Sequence, residues 1–155
     1  MSVCCFLGHR RISETEELKT KLYETIERLI INKKVDTFLF GSKSQFDALC
    51  HEVVSQIKED YPHIKRIYVR AEYPIISDSY KEYLLKSYED TYYPEKIIGS
   101  GRAVYVERNC EMINASHFCI VYYDEEYIRG THKRGTKIAL DYALKLNKEV
   151  IIINS

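Results

Sequence analysis

The sequence of 155 residues carries 23 Lys plus Arg against 23 Asp plus Glu, a formal net charge of +0. A chain of this length buries roughly 68–70% of the surface it exposes when unfolded, so one core forms without a disulfide or metal staple. The balanced charge excludes a global electrostatic pull toward nucleic acid or an anionic membrane, and any anion site must be local.

Val3 to Leu7 is a short apolar run that predicts a first strand, ended by Gly8-His9-Arg10. Ser13 and Glu16 have the spacing of a capping box, and Leu18, Leu22, Ile26, Leu29 and Ile30 then recur at helical spacing until about Asn32. Val35 to Phe40 predicts the second strand. Gly41 breaks it, and Phe46, Leu49, Val53, Val54 and Ile57 line one face of a second helix, capped by Ser44 and unable to pass Pro62. Ile64 to Ala71 predicts a third strand. Glu72 to Tyr93 is a polar, tyrosine-rich connection with a short helix around Ser79 to Ser87. Lys96-Ile97-Ile98 predicts a short strand before Gly99-Ser100-Gly101, and Arg102 to Ala115 a helix. Phe118 to Tyr122 reads as a buried strand. A charged loop from Tyr123 to Arg134 leads to a last helix with Ile138, Ala139, Tyr142, Ala143 and Leu146 on one face, and Val150 to Ile153 closes the sheet.

This alternation predicts an α/β domain of the doubly wound, Rossmann-like kind, with a mainly parallel sheet and helices on both faces. No repeat, low-complexity tract or linker interrupts it, so residues 1–155 are expected to form one domain. Cys4, Cys5, Cys50, Cys110 and Cys119 are an odd set without a CxxC pair, as expected of buried, reduced thiols in a cytoplasmic protein. The apolar N-terminal run is too short for a signal peptide, and no stretch approaches the 18 or so apolar residues of a membrane span. Most of the 14 tyrosines are expected to be half-buried amphipathic rings, with a few lining a pocket.

In such a sheet the ligand crevice lies outside the carboxyl ends of the strands. Four strand-to-helix junctions carry glycine with polar or basic residues. At the first, Gly8, His9 and Arg10 offer either a tight anion-holding turn or an ordinary solvated loop. At the second, Gly41 and Ser42 open a stretch of small donors through Lys43 and Ser44. Asp47 beyond it either accepts from a ribose hydroxyl or favours the helix N-terminus electrostatically. The third, Gly99-Ser100-Gly101-Arg102, opens a helix on which Arg102, Arg108 and Asn109 point toward the same crevice, unless Arg108 is a surface charge paired with Glu107 or Glu111. The fourth runs from Tyr122-Tyr123-Asp124 through Arg129-Gly130-Thr131-His132-Lys133-Arg134 to Gly135 and Thr136. There a basic, glycine-broken loop enters a helix, which either builds a phosphate site or is simply solvated.

Neither GxGxxG nor the GxxxxGK[ST] loop is present, which disfavours hydride transfer and ATP hydrolysis by those routes. His9, His51, His63, His117 and His132 lack ligand spacing, so no metal is expected, and no resident cofactor either. No GxSxG elbow supports a serine nucleophile.

Taken together, the junctions resemble the SLOG superfamily, which includes the DprA/Smf DNA-processing proteins and the LOG phosphoribohydrolases. The nearest likeness is to its small, single-domain bacterial YspA/YpsA-like branch. Gly8-His9-Arg10 is similar to that branch's GHR, Gly41 through Asp47 to its glycine-rich turn ending in Phe-Asp, Arg102 to Met112 to its arginine-asparagine helix, and Gly135-Thr136 to the GT opening its last helix. Two positions depart from the pattern. Gln45 replaces the usual second glycine before Phe-Asp, and Lys137-Ile138-Ala139 follow Gly135-Thr136 where the LOG PGGxGTxxE motif carries its glutamate. Asp124, Glu125 and Glu126 are the candidate catalytic carboxylates that stand nearest to take that glutamate's place.

The resemblance implies a ligand-binding domain for a nucleotide-derived or other phosphate-bearing small molecule, such as a sensor of an NAD or ADP-ribose-type metabolite. The alternative it implies is a LOG-like nucleoside or nucleotide N-glycosidase. A further one is single-stranded nucleic-acid binding, which the balanced charge disfavours. LOG-like relatives imply a homodimer or larger assembly.

Overall fold

The computed structural model describes residues 2–124 and 135–154. Six strands, β1 (Ser2–Gly8), β2 (Val35–Phe40), β3 (Lys65–Val69), β4 (Asp90–Tyr92), β5 (Phe118–Tyr122) and β6 (Glu149–Ile153), form one sheet of order β4-β3-β2-β1-β5-β6. Every neighbouring pair is parallel. Among the described residues the connections carry five helices: α1 (Glu16–Lys33), α2 (Gln45–Lys58), α3 (Asp78–Leu85), α4 (Ala103–Ala115) and α5 (Gly135–Lys145). This is an α/β Rossmann-like fold.

Strand alternation sends successive side chains to opposite faces, and each face has its own helices. Cys4, Phe6, Phe38 and Phe40 pack with Leu18, Leu22 and Ile26 of α1 and Phe46, Val53 and Ile57 of α2. The Phe6 ring lies 6.0 Å from Phe38 and 5.1 Å from Phe40. Cys5, Leu7, Leu39, Cys119 and Val121 face the other way, onto Met112 and Ile113 of α4 and Ala139, Leu140 and Ala143 of α5. Each Val, Leu, Ile, Phe or Met side chain among them contributes about 1.5–3 kcal/mol on removal from water. The thiols of Cys4, Cys5, Cys50 and Cys119 are buried and unbridged, while Cys110 is half-buried. No described helix is long and apolar enough to cross a membrane.

Three local expectations are corrected. The N-cap of α1 is Thr15 rather than a Ser13–Glu16 box. Thr15 is extended (φ −120°, ψ 160°), its hydroxyl accepts from Leu18 N, and Glu16 and Glu17 thereby enter the first turn, where the helix dipole favours them. Lys96 to Ile98 is not a strand. The edge of the sheet is Asp90–Tyr92, paired with Ile67–Val69, because edge pairing needs backbone groups rather than an apolar run. Ile97 is instead buried with Ala71 and Val104, and Ile98 is exposed. The inward face of α5 is Thr136, Ala139, Leu140 and Ala143, which leaves Ile138 and Leu146 largely outside.

Candidate functional site

The chain steps from β1 outward to β4, then returns to the far side of β1 to lay down β5 and β6. The direction reverses between β1 and β5, and a cleft of ≈ 710 Å³ opens over the carboxyl ends of β1, β2 and β3, walled by α4 and the start of α5. This is the switch-point position at which open α/β sheets take ligands, and its volume falls in the range of small-molecule sites.

At the end of β1, a Cβ on Gly8 would fall 2.3 Å from the Phe46 ring, so only glycine lets the strand end over α2. His9 is buried. Its Nε2 accepts from the Asp124 amide at 2.8 Å, and its ring meets Tyr122 and Tyr123, which ties the end of β1 to the end of β5. Gln45 has a definite task. Its amide donates to Arg10 O at 2.8 Å and its side-chain oxygen accepts from Ile12 N at 2.9 Å, so it fastens the loop after β1 to the first turn of α2.

At the end of β2, a Cβ on Gly41 would lie 2.6 Å from both Arg108 Cδ and Met112 Sδ. Ser44 caps α2 by accepting from Asp47 N at 3.0 Å, and the Ser42 hydroxyl donates to Ser44 Oγ at 2.8 Å. Asp47 lies beneath this loop and is not among the residues lining the cleft. Its Oδ2 accepts from Gly41 N at 3.1 Å, and its Oδ1 is buried without a hydrogen-bond partner. Burial pushes its carboxyl up to about 7, against the opposing pull of Arg108. Of the two roles left open for Asp47, this geometry suits the one at the helix N-terminus, since the carboxyl is turned onto Gly41 N and does not line the cleft.

Arg108 is buried rather than paired at the surface. Its Nη1 donates to Gly41 O and its Nε to Asn109 Oδ1, and its guanidinium lies 5.8 Å from the Tyr105 ring centroid. Burial draws its pKa below the ordinary arginine value, and Asp47 opposes the shift. The two glutamates weighed as its partners are engaged elsewhere, Glu107 with Gly99 N and Glu111 with Asn114.

Gly8, His9, Arg10, Gly41, Ser42, Arg102, Arg108, Asn109, Gly135 and Thr136 therefore converge on one cleft from four junctions. Asp124 lines a separate depression of ≈ 180 Å³ with Arg11, Ile12, Ser13 and Tyr122. Glu125, Glu126 and the basic loop from Arg129 to Arg134 lie outside the described residues. Sequence reasoning missed the contribution of β3, because that junction has no glycine to mark it. Tyr68, Arg70, Glu72, Tyr73, Tyr80 and Tyr105 complete the wall, and the adjacent Arg70-Ala71-Glu72-Tyr73 was the available signal.

The cleft is lined by five Lys or Arg side chains and one carboxylate, Glu72. They divide by engagement. Arg70 spends its fork on Tyr73 O, Pro74 O and Thr91 Oγ1, and Arg108 holds Gly41. Arg10, Lys43 and Arg102 are exposed, and their side chains make no hydrogen bond or ion pair among the described residues. Such an array suits an anion, with the first turns of α2, α4 and α5 nearby. Among the described residues no group of three or more His, Cys, Asp or Glu is placed to hold a metal ion.

The model of the YspA SLOG family matches residues 8–155, nearly the whole chain, and the protein belongs to that family. No curated protein matches the sequence.

Proposed function

We propose that this SLOG-family chain binds a nucleotide-derived, phosphate-bearing small molecule in the cleft over β1, β2 and β3, and acts as a sensor of an NAD or ADP-ribose-type metabolite. The reading rests on one observation above the rest. In a chain of net charge +0, Arg10, Lys43 and Arg102 face one cavity without partners among the described residues. Unpaired cations gathered in a cleft repel each other, and a phosphate relieves that cost while gaining charge-assisted hydrogen bonds. The loops that present Arg10 and Lys43 are held by bonds of their own, Gln45 to Arg10 and Ile12 and Asp47 to Gly41, so binding need not order that part of the backbone.

Thermal unfolding in the presence of ADP-ribose, NAD, AMP and a cyclic nucleotide tests the proposal. At 100 times its dissociation constant a ligand adds about 2.7 kcal/mol, which is several degrees for a domain of this size. A flat response to the whole panel refutes it. The N-glycosidase alternative draws no support from Asp124, which lines a different depression.

A further inference from the structure

The tyrosines of the β3 side carry an inference that rests on the phosphate reading and deepens it. Most described tyrosines serve the core: Tyr23, Tyr61, Tyr68 and Tyr88 pack on one face of the sheet, and Tyr92, Tyr123 and Tyr142 on the other. Tyr73, Tyr80 and Tyr105 line the cleft and belong to none of the core clusters. Tyr73 and Tyr105 are 59% and 40% exposed. Leaving large rings in water forgoes the stabilisation their burial would give, so their use lies elsewhere.

Each of these residues is nonetheless held in place. Arg70 Nε donates to Tyr73 O and its Nη2 to Pro74 O, which fixes the turn that bears the Tyr73 ring. Tyr80 stacks on Tyr83, with centroids 6.2 Å apart and planes 16° apart. Tyr105 donates its hydroxyl to Glu72 Oε1 at 2.7 Å, and the Arg108 guanidinium lies against its ring. The second Glu72 oxygen, Oε2, has no partner among the described residues. Rings fixed in advance lose little freedom when another ring stacks on them.

Position supplies the last step. Tyr73 and Tyr80 follow β3, while Arg10 follows β1, two strands away in the sheet. Two inter-strand spacings are roughly 10 Å, which a ribose with a phosphate on one side and a planar ring on the other can bridge. We propose that the β3 side of the cleft is a nucleobase subsite, in which Tyr73, Tyr80 and Tyr105 stack on an amino-bearing base and Glu72 accepts a hydrogen bond from its amino group. A carboxylate only accepts, so it favours a base edge that donates.

Calorimetric titration with AMP, with purine riboside 5′-monophosphate, which lacks the amino group, and with ribose 5-phosphate tests the subsite. AMP is expected to bind about tenfold or more tighter than ribose 5-phosphate. Tyr73→Leu and Tyr105→Leu should each weaken AMP by about fivefold or more while changing ribose 5-phosphate by less than about twofold. Both rings are exposed, so the fold tolerates either change. Glu72→Ala, which removes the acceptor, should abolish the preference for AMP over the amino-free purine. If ribose 5-phosphate binds and AMP binds no tighter, or if the tyrosine variants weaken both alike, the subsite is refuted and the phosphate site stands. If the three compounds and inorganic phosphate all fail to bind, both readings fall.

Discussion

Asp47 and Arg108 hold one peptide residue between them. The Gly41 amide donates to Asp47 Oδ2, and the Gly41 carbonyl accepts from Arg108 Nη1. Both side chains are buried, one from the first turn of α2 and the other from the middle of α4, and together they set the loop that lines the centre of the cleft.

The protonation of Asp47 makes stability depend on pH. In the folded protein its carboxyl keeps a proton up to about 7, whereas in the unfolded chain it releases it near the ordinary value of about 4. Between these values the folded state binds the extra proton, so raising the pH through that window lowers stability, by up to about 1.4 kcal/mol per unit. The contribution is complete below about pH 4 and lost above about 7. Asp47→Asn should flatten the dependence between pH 5 and 8 in thermal unfolding, with the variant gaining on the parent as pH rises. A parent whose unfolding temperature climbs from pH 5 to 8 as steeply as the variant's contradicts the assignment.

Glycines at the floor of the cleft should resist even a methyl group. Gly8→Ala places Cβ 2.3 Å from the Phe46 ring, and Gly41→Ala places it 2.6 Å from Arg108 Cδ and Met112 Sδ. Phe46 and Met112 are fully buried and cannot swing aside, so each variant should lose about 1–3 kcal/mol in denaturant unfolding. Equal stability of either variant with the parent argues against the packing described.

The sheet was legible because parallel strands buried on both faces read as short apolar runs. Val35–Phe40 and Phe118–Tyr122 were read to the residue for that reason. Asp90–Tyr92 was not, since an edge strand held by main-chain pairing has no such run. The glycine junctions of the cleft could be read from the punctuation that glycine provides. Tyr73, Tyr80 and Arg70 lacked that punctuation, because their junction follows a strand without a glycine, and only the fold brings it beside Gly41. The burial of Arg108 was equally hidden, since helical spacing alone does not say that its guanidinium meets the Gly41 carbonyl.

The unpaired and engaged arginines should separate experimentally. Arg102→Ala removes an exposed side chain without a partner among the described residues, so stability should stay within about 0.5 kcal/mol while phosphate-ligand affinity falls about tenfold, the low end for a charge-assisted hydrogen bond near solvent. Arg108→Ala strips the Gly41 carbonyl of its donor and opens a cavity, and should cost stability as well. Unfolding curves alongside titrations with ribose 5-phosphate read the two effects apart. Arg102→Ala with unchanged affinity removes that side chain from the site.

Gly135 offers the opposite case to Gly41. It is the first residue of α5, a Cβ built on it meets nothing within 4 Å, and its backbone is not in the left-handed region. Neither strain nor packing therefore demands glycine here. Gly135→Ala should hold or gain stability by up to about 1 kcal/mol, because alanine favours helix. The open space beside it belongs to the cleft, where a bound anion would approach the amide groups of the first turn. Affinity for a phosphate ligand should thus fall in the order Gly135, Ala, Val as the side chain grows, while the unfolding temperature does not fall in parallel. A Gly135→Val protein that binds as tightly as the parent places the ligand away from α5, and one that loses stability as much as affinity assigns the glycine to the fold instead.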